Sequence, residues 1–166
     1  MLTIENVSNT LNGILDTNDH TLHVFITDDD GSWGMAPKVS ARTPLKSVEM
    51  RFHDIESDTE PGTLFTEVMA NTFVAWLNRQ LEENDIDTII VSCDGGISRS
   101  AAFNAALNLH FNDTTAVFEN ARMCPNRHVF NMLMKALGED IDSPENKEKF
   151  DALFAHNLEI WSNANL

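Results

Sequence analysis

Thr88-Ile89-Ile90-Val91-Ser92-Cys93-Asp94-Gly95-Gly96-Ile97-Ser98-Arg99-Ser100 is the stretch on which the fold turns. Its first four residues are β-branched and almost unbroken in apolarity, as in a central strand covered on both faces. Two glycines end the run. An alanine-rich segment at 98–109 then reads as a helix. Strand, glycine loop and helix in direct succession form one unit of an α/β sheet with parallel strands.

Outward from this unit the pattern repeats. Upstream, residues 66–83 read as a helix with Thr66 as N-cap, Glu67 in its first turn, and Met69, Phe73, Trp76, Leu77 and Leu81 on one face. Residues 45–52 read as a strand with Val48, Met50 and Phe52 on one side, and residues 22–26 as another, stopped by the acidic turn Asp28-Asp29-Asp30-Gly31. The first twenty residues are polar and weakly patterned, and no element is assigned there. Downstream, helical segments are expected at 115–121, at 126–137 up to Gly138, and from Ser143-Pro144-Glu145 onward. In the last of these Phe150, Leu153, Phe154, Leu158 and Trp161 are read as one core stripe. The expected architecture is a single α/β domain over residues 1–166, with a central, mostly parallel sheet flanked by helices.

Composition narrows the function classes. The formal net charge of −15 disfavours nucleic acid or an anionic membrane surface as partner. Two cysteines, Cys93 and Cys124, cannot make a disulfide scaffold, and no CxxC or HxxxH pair suggests a metal site. No apolar run is long enough to span a bilayer, and the first residues lack a basic and apolar leader. The expectation is a reducing, cytoplasmic setting, with neither metal nor cofactor.

The chemistry concentrates in the loop. Ligands of open parallel sheets gather at the carboxyl ends of strands, and the segment Asp94, Gly95, Gly96, Ile97, Ser98 lies at one. A turn of that length can fold its N–H groups around one tetrahedral anion, with Gly95 and Gly96 permitting close backbone approach. The helix starting near Ser98 aims its unsatisfied N–H groups at the same spot. Arg99 can fork two N–H bonds onto two phosphate oxygens. The same field favours the thiolate of Cys93, the nucleophilic form, and Ser100 is placed to hydrogen-bond it.

The run Cys93-Asp94-Gly95-Gly96-Ile97-Ser98-Arg99-Ser100 resembles the C-x5-R-[ST] loop of cysteine-dependent protein tyrosine and dual-specificity phosphatases. Phe52-His53-Asp54-Ile55 and Pro125-Asn126-Arg127 are similar to flanking segments of small bacterial and phage members. The resemblance spans residues 45–137. It implies a protein tyrosine phosphatase-like fold and a two-step mechanism through a cysteinyl-phosphate. In that mechanism Cys93 is the nucleophile, Arg99 and the loop N–H groups hold the phosphate, Ser100 stabilises the thiolate, and an aspartic acid protonates the leaving oxygen. Asp54 fills that last role best by position, with Asp58 and Glu56 as rivals. The implied substrate is a phosphorylated protein, phosphotyrosine first, or a small phosphomonoester. One departure is Ser92, where most members carry histidine before the cysteine.

Blander readings stand beside these. Cys93 alone would read as a buried structural thiol, Arg99 as a surface cation, and Asp54 as a loop cap. Asn126 serves equally as a helix N-cap or, with Arg127, as a pocket wall. Cys124 reads as a filler or as a partner for oxidised Cys93. Ser92 and the unassigned acid keep open a second function, a pseudophosphatase that binds phosphate without turnover. A sulfur-transferase also places cysteine in an anion loop, but Arg99 and Ser100 fit the phosphatase pattern better.

Overall fold

The computed structural model describes residues 1–9, 18–29 and 46–165. Within them four strands run parallel in one sheet: β1 (Thr3–Ser8), β2 (Thr21–Thr27), β3 (Lys46–Arg51) and β4 (Thr88–Cys93), in the spatial order β1-β4-β2-β3. β4 is thus flanked on both sides by other strands. Its apolar run follows from that place, since Ile89, Ile90 and Val91 are all buried although they alternate between faces. Leu45 and the Asp30-Gly31 end of the acidic turn lie outside the described residues.

Register puts Leu22 opposite Ile89 and Val24 opposite Val91, while Val24 and Ile26 face Val48 and Met50. These side chains share one face with Cys93 and pack in the same core as the helices. α1 (Glu67–Glu83) begins at Thr66, whose Oγ1 accepts from the Met69 N–H at 3.3 Å. Phe73 and Leu77 of α1 are buried; Met69, Trp76 and Leu81 are packed against the core. α2 (Arg99–Asn112) follows the loop and is buried on nearly every side. Its Phe103 gathers the rings of Phe52, Phe65 and Phe73 at centroid distances of 6.4, 5.6 and 5.0 Å. That cluster fixes the residues after β3 against the helix that follows the loop. No described helix is long and apolar enough to cross a membrane.

Three expectations change. β1 was not anticipated: of Thr3–Ser8 only Ile4 and Val7 are apolar, so no strand period shows. Of the β1 residues on the Cys93 side, Ile4 packs against the core, while Asn6 and Ser8 are polar and bond the loop. The segment at 115–121 holds only a 3₁₀ turn, Ala116–Glu119, ended by Asn120, whose Oδ1 accepts the Arg122 N–H at 2.9 Å. In the last helix, α4 (Pro144–Ala164), Leu158 is 55% exposed and Asn157 takes its place in the stripe. Asn157 Nδ2 donates to Phe118 O, in the short turn, at 3.0 Å and to Met123 O, beyond it, at 3.1 Å. The remaining helix, α3 (Arg127–Ala136), is capped by Asn126 and packs on α1 and α2.

Candidate active site

Cys93 ends β4, and its Sγ lies 3.0 Å from Ser100 Oγ at the start of α2. The two groups are brought together because the chain leaves the strand, circles through five residues and returns as a helix. Cys93 is 3% exposed, and Ser100 is fully buried.

The loop is held from outside through its carbonyls. Asn9 N–H donates to Cys93 O at 2.9 Å, Ser8 Oγ to Asp94 O at 2.7 Å, and Asn6 Nδ2 to Gly96 O at 2.6 Å. On the far side Cys124 N–H donates to Ile97 O at 2.9 Å and Asn126 N–H to Ser98 O at 3.3 Å. Among the described residues, nothing accepts from the N–H groups of Gly95, Gly96, Ile97 or Ser98. Carbonyls turned out and amides left over make a concavity for an anion. Gly96 is needed for this shape. Its φ is +67°, and a Cβ there would stand 2.9 Å from the Ser8 backbone nitrogen.

Arg99 is 6% exposed, a charge that must be paired. Its Nη1 donates to Asp28 Oδ1 at 2.6 Å and to Phe52 O at 2.7 Å. Nε and Nη2 have no acceptor among the described residues, and together they form the edge of a guanidinium that can fork onto two oxygens of one ligand. Asp28 follows β2, at the same carboxyl edge as the loop after β4. Sequence reading placed it in a turn without a partner. The signal available was its position at that edge.

Asp54 is brought to the loop. Its Oδ1 accepts from Ser98 Oγ at 2.8 Å and from Asn126 Nδ2 at 2.9 Å. The segment that carries it is closed by His53, which pairs with Thr63 through backbone N–H to O at 2.8 Å and accepts the Thr63 N–H on Nδ1 at 2.9 Å. Gly62, with φ +130°, lies against the His53 ring where a Cβ would come within 2.7 Å. Asp58 sits exposed in the turn beyond, with no described hydrogen bond to the loop. Glu56 accepts the Arg127 N–H at 2.9 Å. Of the three carboxylates, Asp54 alone touches a loop residue.

Asn126 is the N-cap of α3, its Oδ1 accepting from the Val129 N–H at 3.0 Å, while its Nδ2 is the group that reaches Asp54. Arg127 turns away instead, pairing with Asp151 and lying 5.2 Å from the centre of the Phe154 ring. Cys124 is a free thiol on the acid side of the loop. Burial pushes its pKa up, and the carboxylates of Glu56 and Asp54 push it further.

Behind the nucleophile lies a group that sequence reading did not single out. His23 of β2 is 1% exposed, and its Nε2 lies 2.9 Å from Ser92 Oγ. Burial lowers its pKa from the usual value to about 4, so the ring is neutral at pH 7. No family model and no curated protein matches this chain.

Proposed function

We propose that this protein is a phosphomonoester hydrolase, a cysteine-dependent phosphatase of the tyrosine and dual-specificity class. The observation that carries the reading is the Cys93–Ser100 contact at the base of a loop whose carbonyls are tied outward and whose amides are left for a ligand. In the first step Cys93 Sγ attacks phosphorus, and the bond to the leaving oxygen breaks. That oxygen takes its proton from Asp54, on Oδ2, because Oδ1 already accepts two hydrogen bonds. The loop amides and the open edge of Arg99 hold the other phosphate oxygens as charge builds on them. In the second step Asp54 takes a proton from water, the water oxygen bonds to phosphorus, and the S–P bond breaks. Ser100 O–H then stabilises the departing thiolate.

The substrate is a phosphorylated protein, phosphotyrosine first, or a small phosphomonoester. The net charge of −15 disfavours nucleic acid or an anionic membrane as the partner. A reducing, cytoplasmic setting suits a nucleophile that must remain a thiol. The test is release of phosphate from an aryl phosphate with and without a metal chelator. Turnover that survives the chelator and disappears in Cys93→Ser supports the reading. Turnover that persists in the serine variant rejects it.

A second reading is a phosphate-binding module without turnover. One observation favours it: Asp54, the acid that turnover needs, is held by Ser98 and Asn126. Protection of Cys93 from alkylation by orthovanadate or phosphate, without any turnover by the wild-type chain, selects it.

A further inference from the structure

Cys93 follows directly on Ser92, so whatever fixes Ser92 fixes the point at which the chain leaves the sheet. Ser92 is fully buried and its hydroxyl meets His23 Nε2 at 2.9 Å. The two residues are on neighbouring parallel strands. His23 stands in register with Ile90, so its ring leans two residues toward the carboxyl edge to reach Ser92. The ring has little freedom, being buried and 5.6 Å from the Phe25 ring. Placing an imidazole in the middle of a sheet costs desolvation of two ring nitrogens, and an apolar side chain would pack there more cheaply. The expense is explained if the hydrogen bond does something that packing does not.

We infer that His23 is a positioning residue for the nucleophile: through Ser92 it clamps the end of β4 and sets where Cys93 stands relative to the loop. The inference rests on the hydrolase reading above. From the other side Ser100 contacts the thiol itself, so Cys93 is located from both ends, by its preceding residue and by its own sulfur. The phosphate cradle is assembled from other parts, namely the tethers from β1 and residues 124–126 and the guanidinium of Arg99. Loosening the clamp should therefore misplace the attacking atom and leave substrate binding nearly intact. A misplacement of about 1 Å can cost on the order of 10²-fold in rate.

The experiment uses His23→Gln, His23→Asn, His23→Phe and Ser92→Ala in the full chain, each checked for folding by thermal unfolding. A glutamine amide reaches the position of Nε2, whereas an asparagine amide reaches only that of Nδ1. kcat and KM are measured on an aryl phosphate, and the alkylation rate of Cys93 by iodoacetamide is followed by peptide mapping. Expected is a fall in kcat of about ten- to 10²-fold for Phe, Asn and Ser92→Ala, with KM within about twofold. Glutamine should restore most of the loss. The pair His23→Phe with Ser92→Ala should be no worse than either alone. A folded His23→Phe or Ser92→Ala protein with unchanged kcat overturns the inference, as does a folded glutamine variant as slow as phenylalanine. If the histidine variants fail to fold, Ser92→Ala, which removes one oxygen, decides. If the wild-type chain shows no turnover, the hydrolase reading fails. The clamp is then judged on Cys93 alkylation, which must still differ between wild type and Ser92→Ala.

Discussion

Asp54 and Asp58 differ by four residues in sequence and by their whole surroundings in space. Both are exposed, but Asp54 is bonded to Ser98 of the loop and Asp58 sits in the turn beyond with no described bond to it. Replacing a general acid costs roughly 10²–10⁴ in rate when the leaving group needs a proton. Asp54→Asn should therefore be slow on an alkyl or unactivated phenyl phosphate and much less impaired on a nitrophenyl phosphate. Asp58→Asn should resemble wild type on both. The comparison of the two leaving groups checks this, and an equal loss on both would assign Asp54 to binding. At this scale much of the site was legible. Cys93, Arg99 and Ser100 stand out because spacing along a single loop sets their geometry, and that spacing is in the sequence. Asp28 and His23 were not legible, because each acts on a residue of a distant element, Asp28 on Arg99 of α2 and His23 on Ser92 of β4, and only the folded arrangement says which.

Elements carry two roles at once here, and a substitution can separate them. Asn126 caps α3 through Oδ1 and holds Asp54 and Ile55 through Nδ2. Serine is nearly as good an N-cap as asparagine, whereas alanine costs about 1 kcal/mol. Asn126→Ser and Asn126→Ala should both lose turnover of the poor leaving group, because both free Asp54. Only alanine should lose the further 1 kcal/mol, read as a difference in denaturant midpoint. At the loop, Gly96→Ala must place a Cβ against the Ser8 backbone at φ +67°. Protection of Cys93 by inorganic phosphate should disappear in that variant while the helical circular dichroism remains. Gly95, with no such contact beyond the side chain of Ile97, should accept alanine better. The helix caps at Thr66, Asn126 and Ser143 were readable from sequence because a cap is local chemistry. β1 was not readable, since two of its residues serve the loop and break the apolar alternation. Asn157 was missed for a related reason: a polar residue in a core stripe makes sense only once the carbonyls it bonds are seen.

For the molecule as a whole, the neutral His23 makes stability depend on pH in one direction. Its pKa is lowered to about 4 in the folded chain, against about 6.5 when unfolded. Above pH 6.5 the ring is neutral in both states, and the full stability is present. As pH falls from 6.5 toward 4, the unfolded chain binds a proton that the folded one refuses, so stability drops by about 3 kcal/mol in all. Below pH 4 this group contributes no further loss. Urea midpoints across that range should show the drop in wild type, and His23→Gln should lack it; parallel curves would deny the histidine its part. The tethers from β1 have a different consequence, one of time. Asn6 and Ser8 bond loop carbonyls 90 and 86 residues further along the chain. Local helices form early in folding, whereas contacts that close long loops come late. After dilution from denaturant, the helical signal should therefore return before phosphate can shield Cys93 from alkylation. For an interval the chain would have its helices and an unprotected thiol, so the anion cradle would be among the last parts of the molecule to exist.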